Sequence, residues 1–183
     1  MKYVTRLILV FLIALRFLNL GKLPFFIDEQ TYIKLGESAQ YPHNLFLSLK
    51  YLVFPVVPWI LGFFKFFLGS FINPLYLGRS IMVVADLIAS LFIYLIAKKL
   101  INTRYAIFST IVYLTIPLNF FHSRIVLLEP ITNMFFLAGL YFYLGFFDPR
   151  NKIRAFIFLE MTLPFVIWLL LKLKKDYFQC EDQ

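Results

Sequence analysis

Tyr51-Leu52-Val53-Phe54-Pro55-Val56-Val57-Pro58-Trp59-Ile60-Leu61-Gly62-Phe63-Phe64-Lys65-Phe66-Phe67-Leu68-Gly69-Ser70-Phe71-Ile72 is the run on which the architecture turns. It is apolar and rich in Phe, yet interrupted by Pro55, Pro58, Gly62, Lys65 and Gly69. Crossing a hydrocarbon core of about 30 Å takes roughly 20 predominantly apolar residues, and this run has the length for it. If it crosses, every later segment changes sides. If it lies in the interface, none does.

The rest of the chain sets the solvent. Of 183 residues, 61% are hydrophobic, 20% aromatic and only 15% charged, and the mean hydropathy is +0.80. Soluble domains carry about 25% charged residues, so this composition belongs to a bilayer. Residues 4–20, 79–97, 105–121, 130–147 and 155–171 each read as able to span. The fold class expected is an all-α, polytopic membrane helical bundle of about five transmembrane helices, with juxtamembrane helices on the outer face. Residues 1–183 read as a single transmembrane module with residues 21–78 as its outer loop. The net charge of +8 then belongs to cytoplasmic loops and anionic headgroups, and no nucleic-acid partner is implied. The one cysteine, Cys180, excludes an internal disulfide and a multi-cysteine metal site. Two histidines, His43 and His122, argue against a His-rich zinc site. The N-terminus (Lys2, Arg6, then Leu7 to Leu15) resembles a signal peptide, but Arg16 interrupts it and no small-x-small cleavage pattern follows. It reads as a retained signal anchor.

Charge decides the orientation. With 51–72 in the outer interface and the N-terminus inside, the Lys98-Lys99…Arg104 and Arg150…Lys152…Arg154 turns are both cytoplasmic. That satisfies the positive-inside rule. Asp28, Glu29, Arg124 and Glu129 then gather on the outer face. Were the run to cross, both basic turns would move outside, and Asp28 and Glu129 would part. Lys172, Lys174 and Lys175 conflict with the interfacial arrangement unless the last run is re-entrant or the chain belongs to something longer.

The polar residues that stand out are few. Asp28-Glu29 follow the first apolar run. Their plain reading is helix capping, with Asp28 as N-cap of a short helix over 28–39. Their functional reading is a surface carboxylate acting as general base or hard-metal ligand. In His122-Ser123-Arg124-Ile125-Val126-Leu127-Leu128-Glu129-Pro130, the plain reading is a solvated loop. The functional one is a second carboxylate, Glu129, beside a guanidinium, Arg124, suited to phosphate oxygens. Asp86 sits within an apolar span. An acid there costs at least ~2.5–3.5 kcal/mol on insertion scales, so a partner arginine or a retained proton is expected, and a structural role is favoured. Arg79 and Lys50 read as snorkelling cations, or with Arg124 as a cationic pocket for a lipid-linked phosphate. Phe63-Phe64-Lys65-Phe66-Phe67 reads as an interfacial anchor, or as a shelf for a polyprenyl tail.

These elements occur in a familiar order. An acidic pair follows the first span, then Lys50…Pro55…Pro58-Trp59, then Gly78-Arg79-Ser80 opening a span that ends in Tyr94-Leu95-Ile96-Ala97-Lys98-Lys99, then Ser123-Arg124 with Glu129 five residues on. Over residues 1–147 this resembles the N-terminal part of GT-C glycosyltransferases of the protein O-mannosyltransferase and aminoarabinose-transferase type, glycosyltransferase family 39. The resemblance implies transfer of a sugar from a polyprenyl-phosphate-linked donor to an acceptor hydroxyl (of a glycan, lipid or protein) on the outer face of the plasma membrane, with inversion. It implies a catalytic set of Asp28, Glu29 and Glu129, with Asp28 as the base. Lys50, Arg79, His122 and Arg124 would bind substrate, and Asp28 and Glu129 would hold a divalent cation, Mg or Mn. The chain departs from the family in three ways. Lys50 is separated from Pro55 by four residues where the family has Lys-Pro-Pro. Glu129 stands where Asp is common. Family members are much longer, so the chain reads as the N-terminal part of a longer fold.

The competing class is a non-catalytic polytopic membrane protein, an assembly subunit or a fragment of a lipid flippase or transporter. Carriers place polar residues near the midplane, whereas here only Asp86 is deep and the rest gather at the surface.

Overall fold

The computed structural model describes residues 2–44, 46–50, 55–68 and 72–146. These form eight α-helices, α1 (Lys2–Phe17), α2 (Ile27–Ala39), α3 (Leu47–Lys50), α4 (Val56–Leu68), α5 (Pro74–Leu100), α6 (Thr103–Thr115), α7 (Pro117–His122) and α8 (Glu129–Phe146), with 3₁₀ turns at Leu20–Lys22 and Pro42–Asn44. The described residues contain no strand. The expected span over 155–171 and the 150–154 turn lie outside them.

Among the described residues two helices are long and apolar enough to cross a membrane, Tyr3–Lys22 with a mean hydropathy of 1.9 and Pro74–Leu100 with 2.3. The first presents Leu7, Val10 and Phe11 outward, as a helix does whose solvent is lipid. The second is longer than the expected 79–97. Asn73 caps it by accepting from the Leu75 N–H at 2.9 Å, and Pro74 fills the first turn, where its missing N–H costs nothing. Its 27 residues extend roughly 40 Å at 1.5 Å per residue.

One expectation changes. The single span over 105–121 is broken, because Ile116 is extended (φ −60°, ψ 119°) and Pro117 starts a new helix. Proline disfavours the helical region for the residue before it and has no N–H to continue the ladder. Among the described residues of the pivotal run, the helical part is α4, 13 residues. That is about 20 Å of helix, short of a hydrocarbon core.

α4 packs against α2 at close range. A Cβ on Gly36 would meet Leu61 Cβ at 2.6 Å, and one on Gly62 would meet the Ala39 backbone at 2.8 Å. Only glycine lets the two helices approach so closely. α5 carries the core, burying Leu77, Met82, Val83, Ala85 and Ala89, with Ala106, Tyr113 and Leu114 of α6 also buried. The segment 125–127, expected as a solvated loop, is buried as well: Ile125 is 2% exposed, Val126 0% and Leu127 7%. The chain divides into two units, Met1–Met134 and Phe135–Gln183, and the residues discussed below lie in the first.

Candidate active site

The acid pair separates into two roles. The N-cap of α2 is Phe26, in an extended conformation, two residues before the expected Asp28. Glu29 does the capping from the third helical position, its Oε2 accepting from the Phe26 N–H at 3.0 Å. Asp28 stands exposed in the first turn, where the helix dipole favours its negative charge.

Glu29 is fully buried, as is Arg79. Arg79 Nε donates to Glu29 Oε1 at 2.9 Å and Nη2 to Oε2 at 2.7 Å. Nη1 donates to the carbonyls of Leu20 and Leu23, and Nη2 also to that of Pro24. A guanidinium has five N–H donors, and these five contacts use them all. Burial pushes the Glu29 carboxyl up, but hydrogen bonds from Arg79 and from the Phe26 and Val126 N–H groups outweigh it and hold the carboxyl below its ordinary value. Glu29, expected to be catalytic, and Arg79, expected to hold phosphate, are thus occupied with each other and with the connection between α1 and α2. In the structure the two form a buried pair.

That pair also organises the surface. Glu29 Oε1 accepts from the Val126 N–H at 2.8 Å, pinning the segment before α8 to the first turn of α2. Glu129 opens α8 three residues later and is exposed. The Tyr32 phenol is pushed up first by burial, then by the charges of Glu129 and Asp28. Both carboxylates are thus felt electrostatically by Tyr32. Sequence reasoning missed Tyr32, although it follows Asp28 by four residues and so shares its helix face.

Of the expected cations, Arg124 is partly exposed. Its Nη2 donates to the Leu18 carbonyl, and its guanidinium carbon lies 5.1 Å from the Phe120 ring centroid. Burial, then the nearby charge of Arg79, lowers its pKa, though a guanidinium stays charged. His122 ends α7, half-exposed, 6.1 Å from the Phe121 ring. Lys50 closes α3, and its side chain lies outside the described residues.

A second buried network sits within the helices. Asp86 pairs with Arg16, the neighbouring-helix arginine that an intramembrane acid calls for. Asp86 also accepts from the Tyr113 hydroxyl at 2.7 Å. Arg16 Nη1 donates to Ser123 Oγ at 2.6 Å and Nη2 to the Leu114 carbonyl at 3.1 Å. Among the described residues no group of three or more His, Cys, Asp or Glu side chains could hold a metal. Asp28 and Glu129 supply two exposed carboxylates.

No curated protein and no solved structure matches the chain. The sequence profile of the dolichyl-phosphate-mannose-protein mannosyltransferase family does match, over residues 53–175. The match runs through Arg79, Asp86, Arg124 and Glu129, while Asp28 and Glu29 precede it. Covering more than half of the 183 residues, it shows that the chain belongs to this mannosyltransferase family of membrane GT-C glycosyltransferases.

Proposed function

We propose that the protein moves a sugar from a polyprenyl-phosphate-linked donor to an acceptor hydroxyl at the outer face of the plasma membrane. Asp28 takes the hydroxyl proton, the freed oxygen attacks the anomeric carbon, and the bond from that carbon to the phosphate oxygen breaks. One in-line displacement inverts the anomeric centre. The phosphate leaves as an anion beside Arg124, with His122 and Lys50 as further candidates to receive it, since fixed positive charge stabilises charge that develops in the transition state. Glu129 would orient the donor or, with Asp28, would hold a divalent cation, Mg or Mn, whose charge would neutralise that of the phosphate. Arg79 and Glu29 are the scaffold for this arrangement.

One observation carries the reading. Of the adjacent acids one is buried in an ion pair that also holds the Val126 N–H, and the other is exposed, as is Glu129 three residues after Val126. The competing idea of a carrier or assembly subunit draws less support. Carriers bind cargo near the midplane, and here the buried polar side chains Arg16, Asp86, Tyr113 and Ser123 are engaged with one another.

The test compares Asp28→Asn with the unsubstituted protein in membranes supplied with polyprenyl-phosphate sugar. Transfer is expected to fall by at least 10²-fold, the lower range for a general base, at unchanged protein level and thermal stability. Retention of full transfer by Asp28→Asn overturns the assignment.

A further inference from the structure

Arg16 lies inside the first candidate span with no solvent exposure, and the proposed reaction does not use it. Its contacts nevertheless lead to Arg124. It donates to Ser123 Oγ at 2.6 Å, and that hydroxyl in turn donates to the Phe120 carbonyl at 3.0 Å. The Arg16 guanidinium carbon is 5.7 Å from the Phe120 ring centroid, and that of Arg124 is 5.1 Å from the same centroid. Arg124 also donates to the carbonyl of Leu18, two residues beyond Arg16. So the ring that Arg124 rests on, the residue before it and the helix end it bonds to are all tied to Arg16. Asp86, itself fixed by the Tyr113 hydroxyl, is the counter-ion.

An arginine is expensive inside a bilayer, and a buried ion pair adds little net stability over apolar residues of the same volume. Ordinary packing would be served as well by Met and Leu. A pair with directional bonds offers a defined position for what it holds. We propose that Arg16, with Asp86 as its partner, is a positioning residue that sets the place of the Arg124 guanidinium for an anionic phosphate at the membrane surface. This rests on the reading that Arg124 faces the phosphate.

The experiment measures binding of a short-chain polyprenyl monophosphate to the purified full chain in detergent, which needs no turnover. Four variants are compared: R124A, R16M/D86L, the triple combination, and S123A. R124A is expected to weaken binding about tenfold or more, the scale of a hydrogen bond to a charged group. R16M/D86L leaves no unpaired charge, and its thermal stability should stay near that of the unsubstituted protein. Its binding should nonetheless weaken several-fold, and adding R124A to it should cost little more, because the two changes remove one interaction. S123A, which removes a single bond, should weaken binding about two- to threefold. It decides the matter should R16M/D86L fail to accumulate.

Unchanged binding in R16M/D86L or S123A overturns the positioning role while leaving Arg124 as the phosphate ligand. A loss in R16M/D86L that adds in full to that of R124A also overturns it, since a general structural defect behaves so. Unchanged binding in R124A removes the premise and the proposal together. The base assigned to Asp28 is judged separately, by transfer in Asp28→Asn.

Discussion

Glu29 and Arg79, 50 positions apart in the chain, meet in a bidentate ion pair from which solvent is excluded on both sides. The pair joins five backbone groups: the Phe26 N–H, the Val126 N–H, and the carbonyls of Leu20, Leu23 and Pro24. Removing one partner leaves the other charged and buried, which costs roughly 3–5 kcal/mol. Glu29→Gln and Arg79→Ala are therefore expected to lower the thermal unfolding temperature in detergent and the level of folded protein in membranes. Asp28→Asn, one residue away and exposed, should do neither. Equal thermal stability of Glu29→Gln and Asp28→Asn would show that the buried pair is not the fastening described.

The same carboxyl makes stability depend on pH, in one direction. Glu29 is held below the ordinary glutamate value of 4.5 in the folded protein, so the unfolded chain binds its proton first as pH falls. The stabilisation it contributes is full above the unfolded value and is lost as pH drops through the lowered folded value. The difference in unfolding temperature between the unsubstituted protein and Glu29→Gln should be constant from pH 7 to about 5 and shrink in more acid solution. A difference that widened towards acid would reverse the assignment.

The sequence disclosed the two ends of the site unevenly. Composition made the bundle legible, and the order of Asp28, Arg79, Arg124 and Glu129 made the family legible, because both rest on residue types and spacing. What each polar residue does was hidden, because burial decides it. Asp28 and Glu29 are indistinguishable in a sequence as neighbouring acids after a span. One helical position turns one to solvent and the other inward to Arg79. The segment 125–127 read as a loop because it is bounded by charge, yet Ile125, Val126 and Leu127 fill the core beside those charges. Asp86 was the most transparent, since an acid in an apolar span demands a partner. Only the fold could name it as Arg16.

The glycines at the α2–α4 crossing carry a sharper expectation. An added methyl at Gly62 lands 2.8 Å from the Ala39 carbonyl carbon and 2.9 Å from the Gln40 nitrogen, and backbone cannot step aside as a side chain can. Gly62→Ala should destabilise by about 1–3 kcal/mol, the usual cost of overpacking. It should also loosen α4 from α2, which carries Asp28. The readouts are unfolding temperature and amide exchange over 27–39. Ala39→Gly in the same chain should restore little, because the backbone clash remains. A neutral Gly62→Ala would mean that the two helices separate freely.

The last prediction concerns the membrane. The Glu29–Val126 hydrogen bond and the contact of Arg124 with the Leu18 carbonyl require residues 18, 29, 124 and 126 to lie on one side. α5 leaves that side as a candidate span and ends at Leu100, and α6 and α7 bring the chain back to His122. Among the described residues α4 has 13 residues, about 20 Å of helix. In a Cys180→Ser background, Asp28→Cys and Glu129→Cys should react together with a membrane-impermeant maleimide applied from the outside. Ile101→Cys should react only after the membrane is opened. The charge pattern asks for the same arrangement, because Lys98, Lys99 and Arg104 flank position 101 and basic turns stay in the cytoplasm. Labelling of positions 28 and 129 from opposite sides would separate the two acids and leave the proposed base without its partner.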